Sequence, residues 1–94
     1  MQFEWDENKN KLNIQKHGVN FNEAKTVFDD ALSSIFDDIW SSIEEHRELI
    51  IGSSNCKRLL IISFTERTDG VIRIISARNA TKPEVKNYER AYRN

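Results

Sequence analysis

The chain has 94 residues, of which 25 are Leu, Ile, Val or Phe. A chain this short cannot divide into two stable cores, and its apolar content exceeds the level at which disorder is the default. No apolar run approaches the roughly 20 residues that span a bilayer, and no signal-peptide pattern opens the chain. We therefore expect one cytoplasmic domain over residues 1–94, without an intramolecular disulfide because Cys56 is its one cysteine.

The net charge of −1 is a cancellation between two halves of the chain. Residues 1–48 carry 5 basic and 11 acidic side chains, a net charge of −6. Residues 49–94 carry 9 basic and 4 acidic side chains, a net charge of +5. An asymmetry of this kind is typical of a protein that keeps one face positive for an anionic partner.

The acidic half is predicted to begin with a short strand and a polar helix. Residues 3–5 alternate apolar and polar side chains, as in a brief edge strand. Asp6 is placed to cap a helix over Glu7–His17, with Leu12 and Ile14 as its apolar anchors.

A second helix and a third short element follow. Asn20 and Glu23 have the spacing of a capping box, and apolar residues at helical spacing extend this helix to about Asp29. Residues 33–37 are then predicted to form a strand and residues 38–46 a loop.

The basic half is predicted to contain three strands and a final helix. The strands cover residues 47–53, 58–67 and 71–78, and Asp69-Gly70 is a strong hairpin signal between the last two. Thr81 and Glu84 form a capping box for the helix. Its apolar stripe consists of Val85, Tyr88 and Tyr92. The order β-α-α-β-β-β-β-α predicts an α+β domain.

A two-residue turn at Asp69-Gly70 would fix the faces of this hairpin. Glu66 would then lie opposite Arg73 as an ion pair at the end of an apolar face. That face would carry Leu60, Ile62, Phe64, Val71, Ile75 and Ala77. The other face would carry Ile61, Ser63, Thr65, Arg67, Ile72, Ile74, Ser76 and Arg78. A three-residue loop with a bulge would change this assignment.

Arg67 and Arg78 are the leading candidates for binding an anion. On one face and ~20 Å apart along the strands, they could hold a phosphate chain at two points, since a guanidinium binds phosphate through two hydrogen bonds. The alternative is that both cap strand ends in water or pair with the acidic half.

Other basic residues are weaker candidates. Lys82, Lys86, Arg90 and Arg93 form one row on the last helix, and Lys57-Arg58 precede a strand. Such a row is commonly a solvated helix face, and basic residues commonly begin strands.

Among titratable groups, His17 is the candidate for proton transfer because histidine titrates near neutrality. The alternative is that His17 has no catalytic role, because the helix dipole favours a protonated histidine at any helix C-terminus. His46 is interpreted as a solvated surface residue. Asp29-Asp30 and Asp37-Asp38 match no known metal-binding loop, so no metal is assigned. Cys56 has no nearby base in the sequence and is not expected to be a nucleophile.

Several sequence strings, in order and at matching spacing, resemble the BrnT toxins of type II toxin–antitoxin pairs. They are Phe3-Glu4-Trp5-Asp6-Glu7-Asn8-Lys9, Lys16-His17-Gly18-Val19, Phe21-x-Glu23-Ala24, Val27-Phe28-Asp29-Asp30, Thr65-Glu66-Arg67 and Arg73-Ile74-Ile75-Ser76-Ala77-Arg78. Residues 31–46 match none of the family's strings.

The resemblance implies a small RelE-like α+β ribonuclease that stops translation by cleaving RNA without a metal or other cofactor. It also implies neutralisation by a BrnA-type antitoxin, in a two-plus-two complex that contacts DNA through the antitoxin. Arg67 and Arg78 would bind phosphate and stabilise the transition state, and His17 or Glu66 would transfer a proton. Further RNA contacts would come from Lys57, Arg58, Arg73, Lys82 and Lys86. The competing interpretation is a non-catalytic homologue that acts as a binding module or co-repressor.

Overall fold

The computed structural model describes residues 1–39 and 45–92, without the side chain of Tyr92. The described residues form five strands, three α-helices and a 3₁₀ segment in the predicted order, which confirms the α+β class. The elements are β1 (Gln2–Glu4), α1 (Glu7–His17), α2 (Phe21–Ala24), a 3₁₀ segment (Lys25–Asp29), β2 (Ser34–Asp37), β3 (Glu48–Ser53), β4 (Leu59–Glu66), β5 (Val71–Asn79) and α3 (Lys82–Tyr92).

The five strands form one sheet in the order β1-β5-β4-β3-β2. The short N-terminal strand β1 runs parallel to β5 at one edge, and the other neighbouring strands are antiparallel. β1 and β2 are therefore the two edge strands, as predicted for the first of them.

The hydrophobic core lies between one face of the sheet, here called the helix-covered face, and the segment that contains α2. This segment contributes Val19, Phe21, Ala24 and Val27, all fully buried. Phe28 packs against both Phe3 and Phe64 with ring centroids 5.2 and 5.0 Å apart. The sheet contributes Ile50, Leu60, Ile62, Phe64, Ile72, Ile74 and Ala77.

The ends of α1 follow the local sequence as predicted. The Asp6 carboxylate accepts hydrogen bonds from the backbone N–H groups of Asn8 and Lys9, at 2.8 and 3.2 Å. Gly18 ends the helix with a φ of 69°, a left-handed conformation that glycine adopts without steric cost.

The predicted apolar anchors of α1 are wrong. Leu12 and Ile14 are 63% and 40% exposed, whereas Asn10 and Asn13 are buried. The Asn13 side chain donates to the carbonyl oxygens of Val19 and Ala77, at 2.9 and 2.8 Å, and accepts from the N–H of Ala77 at 3.1 Å. β5 continues past the end of β1, so this amide takes the place of a neighbouring strand. The helix is attached by hydrogen bonds that a hydropathy pattern does not reveal.

The predicted two-residue turn between β4 and β5 is also wrong. The backbone N–H of Arg67 donates to the carbonyl oxygen of Val71, which leaves a three-residue loop of Thr68, Asp69 and Gly70. Further along, Ser63 pairs with Ser76 but Phe64 pairs with Ile74, so Ile75 is an extra residue in β5. This β-bulge shifts the register by one residue toward the loop.

The bulge reassigns the side chains of the first half of β5. Ile72 and Ile74 belong to the core, instead of the opposite face. Arg73 lies opposite Thr65, and Glu66 lies opposite Ile72, so the predicted Glu66–Arg73 ion pair does not form. Beyond the bulge, Ala77 pairs with Ile62 as predicted.

The remaining predicted elements agree to within about a residue, except that the second helix is divided into α2 and the 3₁₀ segment. Most of the predicted loop over residues 38–46, including Trp40 and Ile43, lies outside the described residues.

We predict that Asn13→Ala lowers the free energy of unfolding by about 2–4 kcal/mol, because it leaves both buried backbone groups of Ala77 without a partner. Urea unfolding at neutral pH measures this loss. Asn8→Ala, on the exposed side of the same helix, is the matched control and should change stability by less than about 0.5 kcal/mol. Equal effects of both substitutions would contradict a role for Asn13 in joining α1 to β5.

Candidate functional site

The sheet face opposite the helix-covered face carries arginines from three strands and is here called the arginine face. In β4 and β5, Thr65 pairs with Arg73 and Ile61 pairs with Arg78, which places both arginines on this face. Arg67, the residue after β4, continues the same alternation. The face predicted to hold Arg67 and Arg78 therefore also holds Arg73, because of the bulge.

A fourth arginine follows from the pairing of β3 with β4. Their register pairs Glu48 with Phe64, so one step back places Arg47 beside Thr65 on the arginine face. A hydrogen bond holds the segment before β3 against β4, since the carbonyl oxygen of His46 accepts from Thr65 Oγ1 at 2.8 Å. Sequence analysis missed Arg47 because its place depends on strand register.

At the loop end of this face, one carboxylate holds two arginines. Glu4 of β1 pairs with Arg73 across the parallel strands. Its Oε2 atom lies 2.8 Å from Arg73 Nη1 and 3.3 Å from Arg67 Nη1. Arg67 still exposes 53% of its side chain. The predicted alternative, pairing with the acidic half, is present for Arg67.

Arg47 is paired in the same way, with the carboxylate of Glu45. Arg47 Nε donates to Glu45 Oε1 at 3.2 Å. All three arginines at this end of the face thus have an acidic partner that remains partly exposed to solvent.

Arg78 lies further along β5 and pairs with a carboxylate through two hydrogen bonds. Its two terminal nitrogens donate to the two carboxylate oxygens of Glu84 in α3, at 2.8 and 3.0 Å. The Arg78 guanidinium lowers the pKa of Glu84 to about 2, and the same hydrogen bonds raise the pKa of Arg78. This bidentate geometry matches the way in which a guanidinium binds phosphate.

Glu84 also determines where α3 lies. Its Oε1 atom accepts the backbone N–H of Thr81 at 2.8 Å, which confirms the predicted capping box. Tyr88 adds a second attachment by donating its hydroxyl to Asp30 Oδ2 at 3.1 Å. Between these attachments, α3 lies over part of the arginine face and covers a largely apolar groove of about 250 Å³. Its floor consists of Ser34, Phe36, Ile51 and Ile61.

His17 lies at the other side of β5, in a groove of about 190 Å³ between α1 and this strand. Lys9 and Lys16 line the same groove, and Ser76 connects it to the arginine face. Since Ser76 is two residues from Arg78 in β5, the groove brings the predicted proton-transfer histidine toward the predicted phosphate ligand.

Glu66, the other predicted proton-transfer group, lies elsewhere. It is exposed at the end of β4 and pairs with Ile72, a residue of the helix-covered side. The structure therefore does not bring Glu66 together with Arg67 and Arg78 on one face.

Two further predicted RNA contacts lie at the opposite end of β4. Arg58 binds the Glu23 carboxylate and donates to the carbonyl oxygen of Gly18 at 3.2 Å. Hydrogen bonds to the Glu23 carboxylate, first from Arg58 and then from Ser54, lower the pKa of Glu23. Arg58 thus connects α2 to the start of β4, while the neighbouring Lys57 is exposed in the turn with a φ of 60°.

Lys82 and Lys86 are exposed on α3, as is Arg90 of the same predicted row. Val85 and Tyr88 are half-buried, in agreement with the predicted stripe. Arg93 lies outside the described residues, as does the side chain of Tyr92.

Comparison with known proteins assigns the family. Residues 5–84 match the family described as the ribonuclease toxin, BrnT, of type II toxin-antitoxin system. The chain belongs to the BrnT family. The crystal structure of the Brucella abortus ribonuclease toxin BrnT is similar, with a TM-score of 0.68 and 25% sequence identity, over 87% of this chain and 99% of that chain. Among curated proteins, no match is found.

No helix within the described residues has the length and apolar character needed to cross a membrane. The BrnT assignment implies an antitoxin partner, since the family is defined by type II toxin–antitoxin systems.

The Arg78–Glu84 pair predicts a specific pH dependence of stability. The folded-state pKa of Glu84, about 2, lies below its ordinary value of 4.5. The stabilisation is therefore present above pH 4.5 and is lost as the pH falls toward 2. Because both side chains are partly exposed, we expect about 1 kcal/mol. Glu84→Gln should reduce the free energy of unfolding more at pH 7 than at pH 3, as measured by urea titration. A pH-independent difference would contradict this pairing.

Proposed function

We propose that this BrnT-family chain is a metal-independent endoribonuclease that inhibits translation by cleaving RNA in the cytoplasm. The observation that carries the proposal is the convergence of Arg47, Arg67, Arg73 and Arg78 on one partly exposed sheet face. Guanidinium groups remain charged at any physiological pH and bind phosphate through paired hydrogen bonds. The match to the BrnT ribonuclease toxins supports RNA as the anionic partner.

In the proposed reaction, the 2′-hydroxyl of RNA attacks the adjacent phosphorus atom. The bond to the 5′-oxygen breaks, leaving a 2′,3′-cyclic phosphate and a free 5′-hydroxyl. Arg67 and Arg78, ~20 Å apart along the strands, hold the RNA backbone at two points, and the arginine at the reacting phosphate stabilises the added negative charge of the transition state. Since DNA lacks the 2′-hydroxyl, it is not a substrate.

His17 is better placed than Glu66 to transfer a proton in this reaction. The His17 groove reaches the arginine face through Ser76, whereas Glu66 is on the opposite side of the strand pair. Lys9 and Lys16 line the same groove and add positive charge for the neighbouring part of an RNA strand. An imidazole can both accept and donate a proton, and the reaction needs both steps.

RNA binding would exchange the partners of the arginines. In the free chain, Glu4 pairs with Arg67 and Arg73, and Glu84 pairs with Arg78. A phosphate group would replace these carboxylates as the arginines' partner. The exchange is feasible because exposed ion pairs contribute little net stability, generally below about 1 kcal/mol. The carboxylates keep the face neutralised until a stronger anionic ligand binds.

We predict that the purified chain cleaves single-stranded RNA in EDTA, and that Arg67→Ala and Arg78→Ala each lower the rate on the order of 100-fold. His17→Ala should also reduce the rate, whereas Glu66→Gln should have a small effect. Initial rates on a labelled oligonucleotide measure these changes, with and without ribosomes. Lys11→Ala removes an exposed positive charge on α1 and is the matched control.

Two further measurements separate chemistry from folding. Urea unfolding should show little loss of stability in Arg67→Ala, while Arg78→Ala also loses the pair with Glu84. A substrate with one 2′-deoxy nucleotide should remain intact at that position. Undiminished cleavage in both arginine variants would place the site elsewhere, and no cleavage by the wild type under either condition would favour a non-catalytic binding module.

The partner in this proposal is a BrnA-type antitoxin, in a two-plus-two complex that contacts DNA through the antitoxin. Neutralising a ribonuclease most simply requires covering its phosphate-binding face. The exposed arginines favour an antitoxin segment with acidic or aromatic side chains.

We therefore expect Arg78→Ala to weaken antitoxin binding by about tenfold or more, together with RNA cleavage. The affinity can be measured by calorimetry with a BrnA-type antitoxin. Lys11→Ala again serves as the charge-matched control. Full antitoxin affinity in Arg78→Ala would show that the antitoxin acts without covering this arginine.

A further inference from the structure

Three side chains of the types that bind metal ions lie together where β2 ends and β3 begins, outside the arginine face. They are Asp37 at the end of β2, Glu48 at the start of β3, and His46 two residues before it. One ligand atom from each lies within 4.8 Å of the other two. His46 Nε2 is 3.2 Å from Asp37 Oδ1.

The strand register creates this cluster. Asp37 pairs with Glu48. The next residue, Asp38, donates its backbone N–H to the carbonyl oxygen of Arg47 at 3.0 Å. Antiparallel pairs alternate between bonded and non-bonded types, so Asp37 and Glu48 form the closer, non-bonded pair. His46 and Glu48 are two residues apart and therefore lie on the same side of the chain. The backbone brings the donors together, so few side-chain rotations are needed to bind an ion.

The charges at this position are unfavourable without a cation. Two carboxylates face each other directly across the strands, an arrangement that destabilises a sheet. Arg47, the nearest arginine along the chain, lies on the opposite side of β3 and pairs with Glu45. Within the described residues, the imidazole of His46 is the one nitrogen-bearing side chain that contacts either carboxylate.

We propose that Asp37, His46 and Glu48 bind one divalent transition-metal ion, with Zn²⁺ preferred, and that this ion joins β2 to β3. One imidazole nitrogen with two carboxylate oxygens suits Zn²⁺, whereas Mg²⁺ and Ca²⁺ prefer ligand sets made of oxygen alone. Asp37 and His46 are exposed, so water can complete the coordination shell. The ion has a structural role here, separate from RNA cleavage, because its ligands lie on the other side of β3 from Arg47.

The test is calorimetric titration of the untagged protein with zinc chloride. We expect one equivalent to bind with a micromolar dissociation constant, and His46→Ala to weaken binding at least tenfold. Asp37→Asn and Glu48→Gln should each weaken binding as well. His17→Ala and Cys56→Ser, which remove the other histidine and the single thiol, are the controls and should bind like the wild type.

Thermal unfolding gives a second readout. Zinc chloride should raise the melting temperature of the wild type and of both controls, but not that of His46→Ala. Circular dichroism without zinc shows whether each variant is folded. No binding by the wild type at 100 µM zinc chloride, or equal binding by His46→Ala, would overturn the proposal. Loss of binding in His17→Ala or Cys56→Ser alone would also overturn it, since the ion would then lie at another site.

Discussion

The extra residue in β5, Ile75, determines which side chains share each face of the sheet. Side chains alternate along a strand, so one inserted residue reverses the faces of everything between it and the loop. Ile72 and Ile74 consequently join the buried core, while Arg73 moves to the side that carries Arg78. Without the bulge, two isoleucines would lie beside the arginines and a charged side chain would enter the core. The core and the arginine face therefore depend on the same irregularity.

The arginine face is held by carboxylates from outside its two central strands. Glu4 comes from the parallel strand β1, Glu45 from the segment before β3, and Glu84 from α3. Of these three carboxylates, only Glu4 pairs across the two halves of the sequence. Glu45 pairs with Arg47 within residues 1–48, and Glu84 pairs with Arg78 within residues 49–94. The charge of this face is therefore largely neutralised in the free chain, and in the proposed function an anionic ligand displaces the carboxylates.

Local sequence signals predicted the parts of the fold that depend on neighbouring residues. The Asp6 cap, the end of α1 at Gly18 and the Thr81–Glu84 box involve residues close in sequence, and each forms as expected. The bulge could not be placed in the same way, because it depends on pairing between strands. The attachment of α1 was mispredicted for another reason. Hydropathy assigns the buried side to Leu12 and Ile14, but the exposed backbone of β5 requires hydrogen-bonding side chains.

Long-range contacts limit the prediction of the candidate site as well. Arg67 and Arg78 lie on one face as predicted, although the predicted two-residue turn does not form. The three-residue loop and the bulge each shift the pairing by one residue, and beyond the bulge the two shifts cancel. Arg47 required the β3–β4 register, and the cluster of Asp37, His46 and Glu48 required the β2–β3 register. Spacing along the chain reveals a metal site only when its ligands lie on one element. Here the ligands come from two strands, and the linear pattern resembles an ordinary acidic loop.

Glu84 connects the chemistry of the site to the folding of α3. The same carboxylate binds the Arg78 guanidinium and accepts the N–H of Thr81 at the start of the helix. A phosphate that takes Arg78 from Glu84 leaves the helix cap in place, because the Thr81 hydrogen bond does not involve the arginine. Tyr88 keeps its separate bond to Asp30. The helix can therefore release Arg78 to an anion and still remain attached to the sheet, which permits ligand exchange at Arg78 without unfolding of α3.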